Sequence, residues 1–298
     1  MSYQIKKFNL QRKAKVFKFL LENFDISMKD AQRWIDKNRI SQNGQIINKK
    51  NFELFGEVEV SVFTPSTLGL EPIFQTSSFA LFDKPSGVLV HPTNRLTSYS
   101  LTHETKFLFG LESNIVHRID KETSGLIIVS KNKSCEKEMK QLFENREIKK
   151  GYIALVKGRI DKELFIDLPI LKNREFSEIK LKVHISEQGK VSQTIIKPLK
   201  YYKELNQTLV EAIPKTGRQH QIRVHLFHVK HPIIGDPIYG VDFETADSYL
   251  NGKLDKQERI IKTGGSRLML HASWLEFSYK NKFKLYSKSH IEKLFNLI

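Results

Sequence analysis

The sequence holds a single cysteine, Cys135, among 298 residues. An intramolecular disulfide is therefore excluded, as is any zinc site built on several thiolates. Long apolar runs are missing too. No stretch reaches the roughly 18 consecutive apolar residues that a membrane-crossing helix needs, so no membrane partner is expected. The opening residues MSYQIKKFNLQRKAKVFKFLLENF are basic, but they lack a long apolar core and a small-residue cleavage site, and they do not read as a secretory signal. No glycine-rich nucleotide loop of the GxGxxG type is present, and no internal repeat is visible. Acidic residues are scarce: 33 Asp and Glu stand against 49 Lys and Arg, a formal net charge of +16.

What is present is a globular composition, 40% hydrophobic and 28% charged, long enough for one large domain or two smaller ones with real cores. The cationic excess favours a polyanionic partner, because each phosphate neutralised releases condensed counterions. These features predict a soluble, cytoplasmic, monomeric chain that works on nucleic acid.

Residues 1–64 read as a compact α+β unit. Lys15 to Phe24 is expected to be a short helix. Ser27 caps a second helix from Met28 to Asn38, with Ala31, Trp34 and Ile35 on one face. Asn43-Gly44 between Ile40 and Ile46-Ile47 signals a hairpin. Val58, Val60 and Val62 alternate with Glu57, Glu59 and Ser61 as in a half-buried strand. Lys29, Arg33, Lys37 and Arg39 make the exterior basic. Residues 65–72, within TPSTLGLEP, form the predicted linker. Residues 73–298 read as an α+β domain: a mixed, mainly antiparallel sheet flanked by helices and loops. Its strands are expected at Ala80–Phe82, Val88–Val90, Leu126–Val129, Tyr152–Val156 and Thr208–Ile213. Helices are expected over Cys135–Phe143 and from near Arg218. The polar stretch Val241–Arg267 is expected to be a surface excursion.

Four segments could carry chemistry. LFDKPSGVLVHP (81–92) reads by itself only as strand, turn and strand. In VHRIDKETSGLIIVSKN (116–132), Asp120 lies between Arg118 and Lys121, whose charges favour an ionised carboxylate. Such a group suits a nucleophile or general base, although for an Asp taken in isolation a solvated loop ion pair is the commoner reading. FENREIKKGYIALVKG (143–158) puts Tyr152 at the edge of a basic patch, where an aromatic can stack on an unstacked base or simply fill a core. PKTGRQHQIRVHLFHVKHPIIGDPIYG (214–240) carries Arg223 and the histidines His225, His228 and His231. These invite a metal reading, but no cysteine or carboxylate accompanies them and they are read instead as phosphate-binding or core polar residues. No metal and no cofactor are expected.

In this order, KPSGVLVHP (84–92), HRIDKETSGLIIVSKN (117–132), KKGYIALVKG (149–158), TGRQHQIRVHL (216–226), HPIIGDPIYG (231–240) and LMLHA (268–272) resemble the RluA-type family of pseudouridine synthases. The resemblance covers nearly the whole chain from residue 73. It departs at Ile119, where Leu is usual, and at Gly151, where a larger residue is common. It implies that Asp120 is the nucleophile, that Tyr152 stacks on a flipped uracil, and that Arg223 pairs with Asp120. It also implies that Arg118, with His117 beside it, helps extrude the base, and that Leu270 supplies apolar wall around the ring. ISMKDAQRWIDKNRISQNGQIINKKNFELFGEVEVSV is similar to the small RNA-binding domain of ribosomal protein S-four. It departs at Met28 and at Phe55-Gly56-Glu57, where Arg and Pro-Gly-Asp are usual. Structured RNA is the implied partner, large-subunit ribosomal RNA first and transfer RNA second.

Two rivals are weighed. A non-catalytic RNA-binding or ribosome-assembly protein would not require an acidic residue within a basic groove. Among other base-flipping enzymes, a zinc deaminase needs paired cysteines, which this chain lacks.

Overall fold

The computed structural model describes residues 3–93, 97–172, 179 and 181–297. Contacts divide the chain into two compact units: Met1–Ser66 with Pro92–Tyr99, and Thr67–His91 with Ser100–Ile298. The boundary after Ser66 falls within the Thr64–Pro72 stretch. The return of Pro92–Tyr99 to the first unit has no counterpart in the sequence reading.

The first unit runs β1 (Tyr3–Lys15), α1 (Val16–Asn23), α2 (Met28–Asp36), β2 (Ile40–Gln42), β3 (Gln45–Ile47) and β4 (Glu53–Phe63). Its sheet has the order β1-β4-β2-β3. The two-residue turn between β2 and β3 has both Asn43 and Gly44 at positive φ, 48° and 76°. That geometry matches the right-handed twist of the flanking strands and is why Asn-Gly marks hairpins. Ser27 Oγ accepts the Asp30 N–H and caps α2. Phe19, Leu20, Trp34, Ile35, Leu54 and Val58 share one buried cluster. The sequence reading did not include β1. Its apolar residues Ile5, Phe8, Leu10 and Ala14 follow no regular alternation, and its place comes from antiparallel pairing with β4 through a bulge between Leu10 and Ala14.

The second unit continues with β5 (Phe74–Gln75), β6 (Phe79–Lys84), α3 (Leu101–Phe109), β7 (Asn114–Ile115), β8 (Ser124–Ser130), α4 (Lys133–Glu144) and β9 (Lys149–Lys157). Then come β10 (Leu164–Asp167), β11 (Ile170–Lys172), β12 (Val183–Ile185), β13 (Gln193–Tyr202), β14 (Gln207–Pro214), α5 (Gln221–His228), α6 (Phe243–Leu250), α7 (Lys256–Thr263), β15 (Leu270–Tyr279), β16 (Asn281–Tyr286) and α8 (Ile291–Leu294). Among the described residues the main sheet has ten strands. Its backbone order is β10-β13-β14-β9-β15-β8-β6-β5, with β16 on β15 and β7 on β8. Every pairing is antiparallel except β8 with β15. The expected mixed, mainly antiparallel sheet is thus the fold observed.

The parallel pair depends on Gly125. Its φ is +107°, and a Cβ there would lie 2.3 Å from the Ala272 carbonyl oxygen. Gly151 has an equally local cause. A Cβ on it would meet the Trp274 indole nitrogen at 2.1 Å, and that nitrogen donates to Glu211 Oε1 at 2.7 Å. The family departure at this position therefore accommodates the indole packed over β9.

Several expectations are corrected. Val88–Val90 is not a strand. The Val88 carbonyl accepts from the Lys84 ammonium, and the Leu89 and Val90 carbonyls accept the first N–H groups of α3, so no acceptors remain for a ladder. Helix α5 begins at Gln221, not near Arg218, because His220 adopts the left-handed conformation at φ 53°. Val241–Arg267 contains two helices, each capped by an aspartate, Asp242 and Asp255.

Candidate active site

Asp120 lies in the connection between β7 and β8. Its neighbour Ile119 is buried with Phe82, Val90, Leu101 and Ile127, which leaves Arg118 exposed and Asp120 half-exposed. The loop is clamped from two sides. The Lys121 carbonyl accepts from the Gly87 N–H at 2.9 Å and from Lys84 Nζ at 3.1 Å, and Ser86 Oγ donates to the Glu122 carbonyl at 2.6 Å. Lys84 is fully buried. Burial lowers its pKa to about 7 despite the carboxylates of Glu122 and Asp120 nearby. From the other side, the Glu122 carboxylate accepts from the Tyr249 hydroxyl at 2.9 Å and Arg259 Nη2 at 2.7 Å. The segment 81–92 and the helices α6 and α7 thus hold the loop that carries Asp120.

Arg223, on the first turn of α5, is 3 % exposed. Its Nε and Nη2 donate to the two oxygens of Asp236 at 2.7 and 2.8 Å, and its Cζ lies 5.2 Å over the Tyr239 ring. Asp236 Oδ1 also accepts the Ile238 and Tyr239 N–H groups at 2.9 and 3.0 Å. Burial alone would raise the Asp236 pKa, but the bidentate guanidinium outweighs it and holds the carboxyl below its usual range. The remaining Arg223 nitrogen, Nη1, donates to Asp120 Oδ2 at 3.2 Å. His220 Nε2 stands 3.8 Å from that same oxygen. No donor among the described residues reaches Asp120 Oδ1.

The segment before α5 is fastened by one side chain. Gln221 Oε1 accepts from Thr216 Oγ1 and the Arg218 N–H, while its Nε2 donates to the Gln193 carbonyl and Thr194 Oγ1. All of this opens on a cavity of about 530 Å³. Its wall includes Asp120, Tyr152, Arg223, Leu270, Arg118 and His117. Acidic residues in it are Asp120 and Glu144, against the cations of Arg118, Arg146, Lys150, Lys215, Arg218 and Arg223. Tyr152 packs against three of the core clusters, which fixes its ring. Burial, reinforced by the Asp120 charge, raises its pKa and keeps the phenol neutral. Lys150, two residues earlier, is half-buried. Burial lowers its pKa.

A family model described as RNA pseudouridylate synthase matches residues 78–228. The chain is 36% identical over 281 residues to a Helicobacter pylori protein named "Uncharacterized RNA pseudouridine synthase", covering 94% of this chain and 92% of that one. It is 30% identical over 235 residues to "Ribosomal large subunit pseudouridine synthase D" of Nitrosomonas europaea, covering 73% and 67%. Among solved structures, "Human RNA Pseudouridylate Synthase Domain Containing 4" superposes with a TM-score of 0.56 at 26% identity, covering 74% of this chain and 88% of that one. The chain belongs to the RNA pseudouridine synthase family, in its RluA-type branch. It is an RNA-modifying isomerase.

In this synthase the residues singled out from sequence separate into two groups. Asp120, Tyr152, Arg223, Leu270, Arg118 and His117 all line the one cavity. Within it His117 is structural: its Nε2 accepts the Ile128 N–H at 2.9 Å, and its ring stacks on Phe143 at 4.4 Å. Burial lowers its pKa to about 3, so it offers no positive charge to an RNA. Lys29, Arg33, Lys37 and Arg39 belong to the first unit. Lys29 and Lys37 are exposed, Arg33 pairs with Asp30 at 2.6 Å, and Arg39 lies over the Tyr3 and Trp34 rings. The three histidines do not converge. His225 is buried, with Nδ1 on Thr194 and Nε2 on the Leu168 carbonyl, while His231 Nδ1 bonds the Lys157 carbonyl. His228 is exposed. Among the described residues no cluster of three or more His, Cys, Asp or Glu side chains could hold a metal ion.

Asp236 and His220 were not singled out from sequence. For Asp236 a signal existed: an Asp followed by Pro, whose carboxylate takes N–H groups two and three residues on, is ordinary turn chemistry.

The buried pair yields a prediction. Asp236 has a depressed folded pKa, so its stabilisation is present above the unfolded carboxyl range and is lost as pH falls below it. Asp236→Asn strands a buried cation and is expected to cost about 3–5 kcal/mol at pH 7, with a smaller deficit near pH 3. Urea unfolding at both pH values measures this. An equal deficit at both would contradict the assignment.

Proposed function

We propose that this synthase isomerises uridines of large-subunit ribosomal RNA, with Asp120 as its nucleophile. The observation that carries the reading is the division of labour within one carboxylate. Oδ2 is held by Arg223 while no donor among the described residues reaches Oδ1, in a cavity whose other charged side chains are mostly cations.

Uridine within a helix must leave the stack before its glycosidic bond can be reached, at a cost of a few kcal/mol. The cavity volume lies in the range of roughly 300–1,000 Å³ typical of ligand sites and admits one flipped nucleotide. Arg118, exposed beside Asp120, is placed to support the vacated position. Tyr152 offers a fixed ring face for the uracil, and Leu270 closes the wall. The rearrangement is redox-neutral: the N1–C1′ bond breaks, the base turns, C5 bonds to C1′, and C5 gives up a proton as N1 gains one. Attack at C1′ or at the ring both need an ionised carboxylate with one free oxygen. Arg223 engages only Oδ2 and so leaves the second oxygen open. Burial and the Asp120 charge both disfavour a Tyr152 phenolate, so stacking is the role assigned to Tyr152.

Ribosomal RNA is preferred because the Nitrosomonas relative is named for the large ribosomal subunit and because the first unit resembles the S-four domain. In that unit Lys29 and Lys37 supply affinity for the RNA and take no part in the chemistry.

Asp120→Asn keeps the side chain's shape and loses its charge. Tritium release from RNA carrying 5-tritiated uridine is expected to fall by at least ~1,000-fold with RNA affinity nearly unchanged; turnover within tenfold of wild type would remove Asp120 from the role. In the same assay Tyr152→Phe keeps the ring and should retain substrate capture, whereas Tyr152→Ala loses a stacking contribution of about 1–3 kcal/mol. For the first unit, the pair Lys29→Glu and Lys37→Glu should weaken binding, with a salt slope shallower by about 2, and leave the saturated single-turnover rate intact. A collapsed saturated rate with unchanged affinity would contradict this division.

A further inference from the structure

His220 occupies an unfavourable backbone position beside the reacting carboxylate. Its φ and ψ are 53° and 19°, left-handed, immediately before α5. Gly adopts this conformation freely, and among side-chained residues Asn, Asp and His do so most often. The backbone therefore admits histidine without demanding it, and what its ring meets decides its role.

The ring is almost enclosed, with its side chain 9 % exposed. Nδ1 is 3.1 Å from the Tyr239 hydroxyl oxygen, and Nε2 is 3.8 Å from Asp120 Oδ2. Tyr239 Oη accepts the Val183 N–H at 2.9 Å, and the Val183 carbonyl lies 3.2 Å away. The phenol has one proton to give, to that carbonyl or to Nδ1. If the carbonyl takes it, Nδ1 must carry the imidazole proton, and a bare Nε2 lone pair then faces a carboxylate. If Nδ1 takes it, Nε2 carries the proton and points it at Asp120. Only the second arrangement is electrostatically favourable. Tyr239 is itself held: its ring lies under the Arg223 guanidinium, and its N–H bonds Asp236. Burial and the Arg223 charge lower the His220 pKa to about 4, so the imidazole is neutral at neutral pH and its tautomer matters.

We propose that His220 is a positioning residue for the isomerisation: its Nε2–H, oriented by the Tyr239 hydroxyl and standing 3.8 Å from Asp120 Oδ2 in the free enzyme, closes on that oxygen beside Arg223 when the nucleotide binds and so presents Oδ1 to it. The inference rests on Asp120 being the nucleophile. His220 itself lines the cavity, but the role assigned to it needs no contact with the substrate. It acts through the carboxylate, as groups that orient a catalytic base do.

A helix-start role and a donor role predict opposite rankings of variants. His220→Gly and His220→Asn suit the left-handed backbone and keep the fold, but they put no donor where Nε2 stands. His220→Gln reaches that position with an amide N–H. The assay is single-turnover tritium release from total RNA labelled with 5-tritiated uridine in cells lacking the enzyme, with RNA affinity and thermal midpoint measured alongside. We expect the Gly and Asn variants to remain folded, with a thermal midpoint lowered by no more than that of the Gln variant, to bind RNA normally, and to lose roughly tenfold to hundredfold in saturated rate. The Gln variant should recover much of that loss even where its midpoint is lower. Tyr239→Phe should lose rate to a similar degree, and combining it with His220→Asn should lose little more, since both break one chain. A Gly variant as fast as wild type, or Gln no better than Asn, overturns the proposal. Asp120→Asn is run in parallel. If it remains active, the nucleophile assignment itself fails, a result distinct from every His220 outcome.

Discussion

One guanidinium organises the catalytic end of this synthase. Arg223 is buried and forks onto Asp236 with two nitrogens, which leaves a single donor for Asp120. A buried arginine needs a buried anion, and Asp236 meets that need outright, with further N–H donors from Ile238 and Tyr239 on its own oxygen. Arg223 therefore does not depend on Asp120 to be tolerated in the core. Its third nitrogen can polarise and direct Asp120 while engaging only one of its oxygens. An arginine paired only with Asp120 would draw both carboxylate oxygens into a bidentate pair, and no oxygen would remain for the substrate.

The remaining structure keeps the two halves of this arrangement together. Asp120 comes from the loop that leads into β8, Arg223 from α5, and the two are 103 residues apart in sequence. Adjacent strands β9 and β15 lie between the elements that carry them, bringing Tyr152 and Leu270 to the same cavity. Gly125 permits the close parallel approach of β8 to β15. Lys84, Ser86 and Glu122 fasten the Asp120 loop, and Gln221 fastens the segment before α5. Lys84 and Ser86 do this by donating to backbone carbonyls of the loop, which fixes its path more firmly than apolar packing alone.

Much of the fold was legible because its signals are local. Asn43-Gly44, the Ser27 cap and the alternation around Val58 each act over a few residues. The helices left unread lack a long apolar stripe. The first turn of α3 buries Thr102, His103, Glu104 and Thr105, α7 buries no residue, and α6 buries only Thr245 and Ala246. Aspartate caps at Asp242 and Asp255 were the available signals for the last two. Val88–Val90 misled for the opposite reason: an apolar run reads as a strand until its carbonyls are found occupied. Of the site, Asp120, Tyr152 and Arg223 could be named from ordered motifs. Asp236 and His220 could not, since their importance lies in side-chain contacts to residues distant in the chain or across a turn.

Arg223 serves two carboxylates at once, and Arg223→Lys separates its charge from its fork. Lysine keeps the positive charge but has one nitrogen, which cannot hold Asp236 bidentately and also reach Asp120. The rate in single-turnover tritium release at saturating RNA should fall by at least ~100-fold, with RNA affinity unchanged. A lysine variant within about threefold of wild type would show that charge alone suffices, and would contradict the fork as the organising contact.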